Sequence, residues 1–296
     1  MPEIPDLTVY IEHLDDRVVG RRLSGIRIAS PFLLRSVSPT VDEVADREIV
    51  GVRRLAKQIV LELTEELFVV MHLMIAGRLR WYDEHKAIPK RNGLAAFDFD
   101  NGSLILTEAS RKRRASLRLV RGPVALADLD PGGMEVRDIE FEAFFERLQS
   151  TPHTVKRALT DQRVVAGIGN AYSDEILFEA RMSPFKLGRN MTTQEARKLF
   201  DACRDVLARW TDTLRSETGG KFPAKVTAFH PQMAVHGKYR EPCVVCGAPV
   251  QRILKSENES NYCARCQTGG RLLADRSLSR LLKDTYPKRI EDLEGP

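Results

Sequence analysis

The sequence predicts an α+β protein of several domains: an N-terminal helix with a β-sandwich, a helical domain and a small C-terminal β-hairpin. Short, often β-branched segments separated by turn signals run from residue 21 to about residue 121. Apolar residues at helical spacing follow from 138 to 214, and two Cys-x-x-Cys pairs flank a hairpin pattern near the end. We therefore place domains at 1–125, 138–240 and 241–268, with a C-terminal extension at 269–296.

Length and composition are those of a soluble globular protein. The 296 residues suffice for one large domain or two ordinary ones, and 43% are hydrophobic while 29% are charged. No apolar run approaches the roughly 20 residues of a membrane helix, and the first residues lack a secretory signal. We therefore expect a cytoplasmic, nucleoid-associated monomer with no membrane association.

The first helix is predicted over residues 6–19. Asp6 is a suitable N-cap residue, and Gly20 is a suitable end. Apolar residues recur at helical spacing in between, at Leu7, Ile11, Leu14 and Val18.

Seven strands are predicted after this helix. Asp100-Asn101-Gly102 is a hairpin turn signal between the last two of them. Many short strands with little helix indicate a sandwich or a barrel. The predicted strands cover residues 23–28, 49–55, 58–63, 67–72, 78–82, 95–99 and 103–107.

Four helices are predicted in the next domain, over residues 138–149, 154–160, 170–180 and 192–214. The turn between the second and third contains Gly167 and Gly169, which permit close backbone approach, and Asn170 starts the next helix. Amides at such a helix start can bind a phosphate, although most turns of this kind are only turns. Residues 216–240 are predicted to form a long flexible loop.

The two Cys-x-x-Cys pairs predict a zinc site. Sixteen residues separate Cys246 from Cys263, and this spacing suits one tetrahedral Zn²⁺ on the thiolates of Cys243, Cys246, Cys263 and Cys266. Two disulfides are the alternative, which is disfavoured without a secretory signal. Four protein ligands leave no position for water, so the ion is expected to be structural.

The N-terminus offers a possible nucleophile. If Met1 is removed, Pro2 carries an α-amino group, which titrates near pH 8 and can form a Schiff base with an aldehyde. Glu3 beside it could move protons. Taken alone, this stretch is more simply an extended leader. The basic run 111–114 is likewise either a solvated loop or a phosphate-binding segment.

Together these features resemble the formamidopyrimidine-DNA glycosylase/endonuclease VIII family of base-excision repair enzymes. The resemblance covers about residues 2–266: a Pro-Glu-x-Pro start, a β domain, a helix-two-turn-helix (H2TH) module and a zinc ribbon, in that order. Lys156-x-x-Leu159-x-Asp161-Gln162 and Gly167-Ile168-Gly169-Asn170-x-Tyr172 match the H2TH signature.

The resemblance implies a function and residue roles. Pro2 would attack C1′ of a damaged nucleotide in double-stranded DNA and release the base, and it would also act at abasic sites. Glu3 would transfer protons, with Asp6 as the second carboxylate of the leader. The flipped base leaves a gap that side chains fill. The implied DNA-binding residues are Lys57, Met74, Ile75, Arg111, Arg113, Lys156, Gly167, Gly169, Asn170 and Asn258.

The sequence departs from the family at several of these positions. Asp6 replaces the usual glutamate, Ile75 stands at the void-filling methionine with Met74 one residue early, and Arg113 replaces the wedge phenylalanine. Asn258 replaces the arginine at the ribbon tip, so we expect weakened strand cleavage. Two other interpretations remain: a DNA-binding protein without catalysis, and an RNA-binding or ribosomal protein with an H2TH module.

Overall fold

The computed structural model describes residues 1–223, 229–255, 258–274, 276–283 and 287–294, without the side chains of 255, 258, 276–278 and 294. The chain divides into two compact units: Met1–Pro131 with Arg209–Thr227, and Gly132–Ala208 with Ala228–Pro296. Residues that follow 208 and precede the first gap therefore cluster with the N-terminal unit, although the sequence places them in the helical domain.

Ten α-helices and ten strands lie in the described part of the chain. The helices are α1 (Ile4–Val18), α2 (Val41–Val44), α3 (Pro123–Ala127), α4 (Phe141–Gln149), α5 (Val155–Thr160), α6 (Asn170–Glu179), α7 (Thr193–Thr218), α8 (Ala264–Thr268), α9 (Arg276–Leu282) and α10 (Glu291–Glu294). The strands are β1 (Arg22–Ile28), β2 (Arg47–Leu55), β3 (Gln58–Leu63), β4 (Leu67–His72), β5 (Gly77–Tyr82), β6 (Gly93–Phe99), β7 (Gly102–Glu108), β8 (Ser116–Arg121), β9 (Gln251–Lys255) and β10 (Asn258–Tyr262).

The N-terminal unit is built on one antiparallel sheet in the order β5-β7-β6-β1-β2-β3-β4-β8. Its two halves join at β1 and β2 through only two residue pairs, Arg22↔Glu48 and Leu23↔Arg47. Buried side chains from both halves, such as Phe97 and Leu61, belong to one apolar core. This confirms the predicted helix-plus-sandwich fold.

Strand β8 is an addition to the predicted set. Ser116–Arg121 pairs with β4 through six residue pairs. Leu117 and Leu119 are buried while Arg118 and Val120 lie on the other face, which is the alternation of an edge strand. Arg118 and Arg121 of this strand continue the positive charge of the basic run 111–114.

Helix α1 begins two residues before the predicted start. Glu3 is the N-cap, and the Oδ2 atom of Asp6 accepts a hydrogen bond from the Glu3 amide at 2.8 Å. Asp6 is therefore the third helical residue and not the N-cap, because Pro5 is tolerated in a first turn where amides have no helical partner. The two residues form a capping box.

The chain after α7 packs on α1. The helix continues to Thr218, and the ring of Phe222 then lies 5.7 Å from the ring of Tyr10. The guanidinium of Arg17 lies 5.7 Å from the same phenylalanine ring, and Arg215 forms an ion pair with Glu12 at 2.6 Å. The beginning of the predicted 216–240 loop is thus ordered, whereas residues 224–228 lie outside the described part.

The second unit contains the hairpin β9–β10, which the two cysteine pairs flank. Leu272, Leu273 and Ile290 of the C-terminal extension share a buried cluster with Cys243 and Cys263. Main-chain hydrogen bonds from Leu272 to the Lys288 carbonyl and from Ile290 to the Gly270 carbonyl, each 2.8 Å, close the extension on itself. These described parts of the extension therefore pack on the protein.

Within the described residues, none of the helices combines the length and the apolar character that a membrane span requires.

Candidate active site and nucleic-acid interface

The predicted catalytic residues at the start of α1 are buried. Pro2 is buried, and Glu3 and Asp6 are 2% and 4% exposed. Burial raises the pKa of the Asp6 carboxyl to about 7, and the negative charge of Glu3 adds to this effect. The hydrogen bond from the Glu3 amide opposes it. One of the two carboxyl groups can therefore hold a proton near neutral pH.

The terminal amine lies among charged groups. Burial lowers the pKa of the Met1 amine, and the positive charges of Arg78 and Lys57 lower it further, while Glu3 and Asp6 raise it. Removal of Met1 shifts the free amine by one residue, about 3.8 Å between Cα atoms. Such surroundings favour the neutral amine, which is the nucleophilic form.

Lys57 lies in the two-residue turn between β2 and β3. Leu55 pairs with Gln58 across this turn, and Ala56 has a left-handed backbone with φ of 50°. Lys57 itself is only 8% exposed, and its charge acts on both the terminal amine and His72. The turn therefore brings the predicted lysine to the N-terminal site.

The predicted void-filling residues occupy a tight turn at residues 73–77. Met74 has φ of 51° and its amide donates to Nδ1 of His72 at 3.0 Å. A Cβ atom on Gly77 would lie 2.2 Å from the Leu73 carbonyl oxygen, so this position requires glycine. Ile75 is 58% exposed and Met74 is half-buried. Ile75 thus projects furthest into solvent.

His72 is neutral at physiological pH. Burial lowers the pKa of its imidazole to about 4, and the charges of Lys57 and Arg118 contribute. Because Nδ1 accepts the Met74 amide, the other ring nitrogen carries the proton. The sequence interpretation used the motif at 72–77 only for its methionine and overlooked His72.

The basic loop after β7 is fixed at its end by a buried carboxylate. Glu108 is 3% exposed and accepts the amides of Arg114 and Ala115, both at 3.0 Å. Arg111 and Arg113 are exposed, and Nη2 of Arg113 donates to the Arg91 carbonyl at 3.1 Å. Glu108 thus fixes the end of the loop while the two arginines stay exposed. No local sequence signal indicates this role of Glu108.

In the second unit, the glycine turn before α6 is held by Gln162. Its Nε2 donates to the Ile168 carbonyl and its Oε1 accepts the Gly167 amide, each at 2.8 Å. Gly167 has φ of 77°, which favours glycine, and Gly169 is the N-cap of α6. Asn170 is half-buried at the first helical position. The turn is therefore rigid, with the amides of the helix start beside Asn170.

Lys156 faces the protein interior. It is 8% exposed, and Nζ donates to the Asn170 carbonyl at 2.8 Å and to Oδ1 of Asp174 at 2.6 Å. Its ammonium group is thus already engaged inside the unit and supports the first turn of α6. Direct DNA contact by Lys156 stays a prediction. The side chain of Asn258, at the start of β10, lies outside the described part of the chain.

The four cysteines form the predicted zinc site. Their sulfur atoms all lie within 4.8 Å of one another, with 3.4 Å between Cys246 and Cys263 and 3.9 Å between Cys243 and Cys266. Zinc–sulfur bonds of about 2.3 Å in a tetrahedron place sulfur atoms roughly 3.8 Å apart, so the cluster fits one Zn²⁺. Two of the ligands are buried, as expected of a structural ion.

Three family models match the chain. The formamidopyrimidine-DNA glycosylase N-terminal domain matches residues 1–115, and the formamidopyrimidine-DNA glycosylase H2TH domain matches residues 130–218. The zinc finger found in FPG and IleRS matches residues 240–269. The last match covers all four zinc ligands.

Relatives and solved structures agree with these matches. The formamidopyrimidine-DNA glycosylases of Desulforamulus reducens and Thermus thermophilus are 31% and 30% identical. These alignments cover 90% and 91% of this chain and 99% and 100% of those proteins. The Lactococcus lactis FPG (MutM), solved in complex with FAPY-dG containing DNA, has the same fold with a TM-score of 0.79 at 24% identity, over 90% of this chain and 100% of that one. The chain belongs to the formamidopyrimidine-DNA glycosylase family of DNA-repair enzymes.

Proposed function

We propose that the protein removes a damaged base from double-stranded DNA through the amine of Pro2 and then cleaves the strand at the abasic site. The amine forms a bond to C1′ as the glycosidic bond breaks, and the base leaves with its electron pair and a proton. Glu3 transfers protons at the sugar, and Asp6 supports the turn that carries both residues. The setting is chromosomal DNA at the nucleoid of the cytoplasm.

One observation supports this proposal above all others. The terminal amine is buried beside two carboxyl groups and two cations, and burial lowers its pKa, with the cations opposing the upward effect of the carboxylates. An extended leader, the simpler interpretation of the sequence, would be exposed and would have an ordinary amine. Buried, perturbed titratable groups that converge on a possible nucleophile are typical of an active site.

The remaining site residues are assigned to DNA. Lys57 and Asn170, with the amides after Gly167 and Gly169, bind backbone phosphates, and Lys156 supports Asn170 from behind. Exposed Ile75, with Met74, enters the gap left by the flipped base. Arg111 and Arg113 contribute affinity that is independent of sequence and sensitive to salt.

The test uses a duplex with one abasic site and borohydride, which traps the Schiff base as a stable adduct. Pro2→Gly replaces the secondary amine, and we expect trapping to fall by about tenfold or more. Pro5→Ala is the matched control. Pro5 lies three residues further along the chain and has no free amine, so its substitution should leave trapping unchanged. Undiminished base excision by Pro2→Gly would refute the assignment.

A DNA-binding protein without catalysis is the second candidate. It is favoured by the departures at Arg113 and Asn258, which replace the wedge phenylalanine and the ribbon arginine of the family. The same assay distinguishes it: processed wild-type protein that binds the duplex but forms no adduct is a binder. The buried carboxyl pair has no purpose in a binder, which favours the enzyme.

Strand cleavage is expected to stop early. Asn258 cannot supply the positive charge that an arginine would place on the phosphate, so the second elimination is disfavoured. We expect mainly the β-elimination product from an abasic site on a sequencing gel, and Asn258→Arg should increase the βδ product. Efficient βδ cleavage by the wild-type protein would contradict this.

A panel of duplexes with single oxidised purines, pyrimidines or bulkier adducts then identifies the preferred lesion.

A further inference from the structure

Arg78 follows the 73–77 turn directly and holds it. Its Nη1 donates to the carbonyls of Ile75 at 3.1 Å and of Gly77 at 2.7 Å. The guanidinium is half-buried, and its Nη1 atom donates to both carbonyls. The Arg78 side chain therefore holds the turn that carries the proposed void-filling residues.

The same residue lies close to the start of α1. Leu79, the next residue of β5, is buried in the core that includes Leu7 and Tyr10 of α1. The charge of Arg78 acts on the Met1 amine, which precedes that helix, and on Asp6 and the Tyr10 hydroxyl in its first turns. Arg78 therefore connects the turn on one side with the amino terminus on the other.

We propose that Arg78 is a positioning residue of the reaction: it holds the 73–77 turn in place and sets a second cation, with Lys57, beside the amine of Pro2. This inference rests on the proposed function. It adds a residue that the motifs of the sequence did not indicate, since an isolated arginine at the start of a strand carries no local signal.

The chemistry explains why a second cation matters. Only the amine without its proton has a free electron pair to attack C1′, and a nearby positive charge disfavours protonation. Carboxylates on α1 act in the opposite direction, and the neutral imidazole at the end of β4 adds no charge. The groups that surround the amine are the N-cap Glu3 and Asp6 of α1, Lys57 on the β2–β3 turn, His72 on β4 and Arg78 on β5. Loss of Arg78 would leave two carboxyl groups against one cation.

The experiment measures the rate of borohydride trapping on an abasic-site duplex between pH 5 and 9. We expect Arg78→Met to shift the acidic limb of the rate profile upward by about one pH unit, and so to slow trapping about tenfold below that limb. Arg78→Lys, which keeps the charge, should restore the wild-type limb. Arg80→Met is the matched control. Arg80 is exposed on the same face of β5, and its substitution removes the same charge at a position further from the amine.

Two results would overturn the inference: a wild-type profile for Arg78→Met, or an equal shift for Arg80→Met, which would reflect net charge alone. Arg78→Gln is a second neutral variant that can still donate a hydrogen bond to the turn, and it should show the same shift if Arg78→Met folds poorly. A wild-type protein that forms no adduct at any pH would instead refute the proposed function.

Discussion

At the scale of single residues, Asp6 makes the N-terminal site sensitive to pH. Its carboxyl group has a pKa near 3.8 in the unfolded chain and about 7 in the fold, because burial penalises the charge. The folded protein therefore binds the proton more tightly, so stability declines as pH rises from about 4 to about 7 and is constant above that. The effect is on the order of 4 kcal/mol.

Asp6→Asn should remove this pH dependence. The amide cannot ionise, yet its oxygen can still accept the Glu3 amide, so the capping box is kept. We expect the free energy of unfolding in urea to fall from pH 5 to pH 7 in the wild-type protein and to change much less in the variant. Asp16→Asn, an exposed position on the same helix, should follow the wild-type curve. Parallel curves for Asp6→Asn and wild type would show that the buried carboxyl is not the cause.

The residues that sequence reasoning found and those it missed differ in one respect. Pro2, Glu3 and Lys57 lie in recognisable local motifs, and the structure brings all three to one buried site. Arg78 and Glu108 bind main-chain groups a few residues away, the Gly77 carbonyl and the Arg114 amide, and such a bond requires no particular residue type in the partner. No pattern of neighbours in the sequence encodes such contacts.

At the scale of elements, α6 organises the second unit through two adjacent buried carboxylates. Glu175 accepts three successive main-chain amides, those of residues 234–236, at 2.8–2.9 Å. Asp174 binds Lys156, lies 2.7 Å from Nδ1 of His236 and accepts Nδ2 of Asn261 at 3.2 Å. The helix that starts with the proposed phosphate contact is therefore tied to strand β10 of the zinc hairpin.

Breaking the Lys156–Asp174 pair should be costly because both groups are buried. Removal of one partner leaves a buried charge uncompensated, which typically costs about 3–5 kcal/mol. We expect Asp174→Ala to lower the free energy of unfolding by this amount. Lys156→Met in the same chain should recover about 1–3 kcal/mol of the loss, because the unpaired cation is gone.

The matched comparison is the pair of Arg163 with Asp161. The arginine side chain is 76% exposed, so Arg163→Met should cost less than about 1 kcal/mol despite good geometry. Denaturation of these three variants and of the wild-type protein in urea measures all of these values. Equal losses for the buried and the exposed pair would contradict the assignment of Asp174 as a central residue of this unit.

Element boundaries show where sequence reasoning was less complete. The predicted helices α5 and α6 start within one residue of the observed ones, because glycine and threonine mark their caps. Strand β8 was missed since its outward arginines extended a basic run, and only pairing with β4 identifies it as a strand. The end of α7 was placed early because its last turns are polar, yet they are stabilised by packing on α1.

At the scale of the whole molecule, the zinc site and the C-terminal extension share one small core. Leu272, Leu273 and Ile290 pack against two zinc ligands, and the Leu273 amide donates to the hydroxyl of Tyr262 at 2.8 Å. A core this small depends on its metal, because folding free energy and metal binding are coupled in such modules. Zinc and extension should therefore be lost together.

Cys263→Ala should reduce bound zinc below one ion per chain and should open the extension to trypsin at Arg271. Cys203→Ala is the matched control, since Cys203 is buried in α7 away from the cluster and should keep both zinc and protection. Metal analysis and timed digestion measure the two effects. Full protection of Arg271 in the zinc-free variant would show that the extension is independent of the metal.

The contact between Phe222 and α1 also has a consequence for the order in which the protein is made. Helix α1 leaves the ribosome first, but the aromatic ring that covers Tyr10 and Arg17 is more than 200 positions further along the chain. Domains generally fold as they emerge. Here the nascent β-sandwich must wait, with one face of its first helix uncovered, until α7 has been synthesised. A fragment ending at residue 131 would retain that uncovered face permanently.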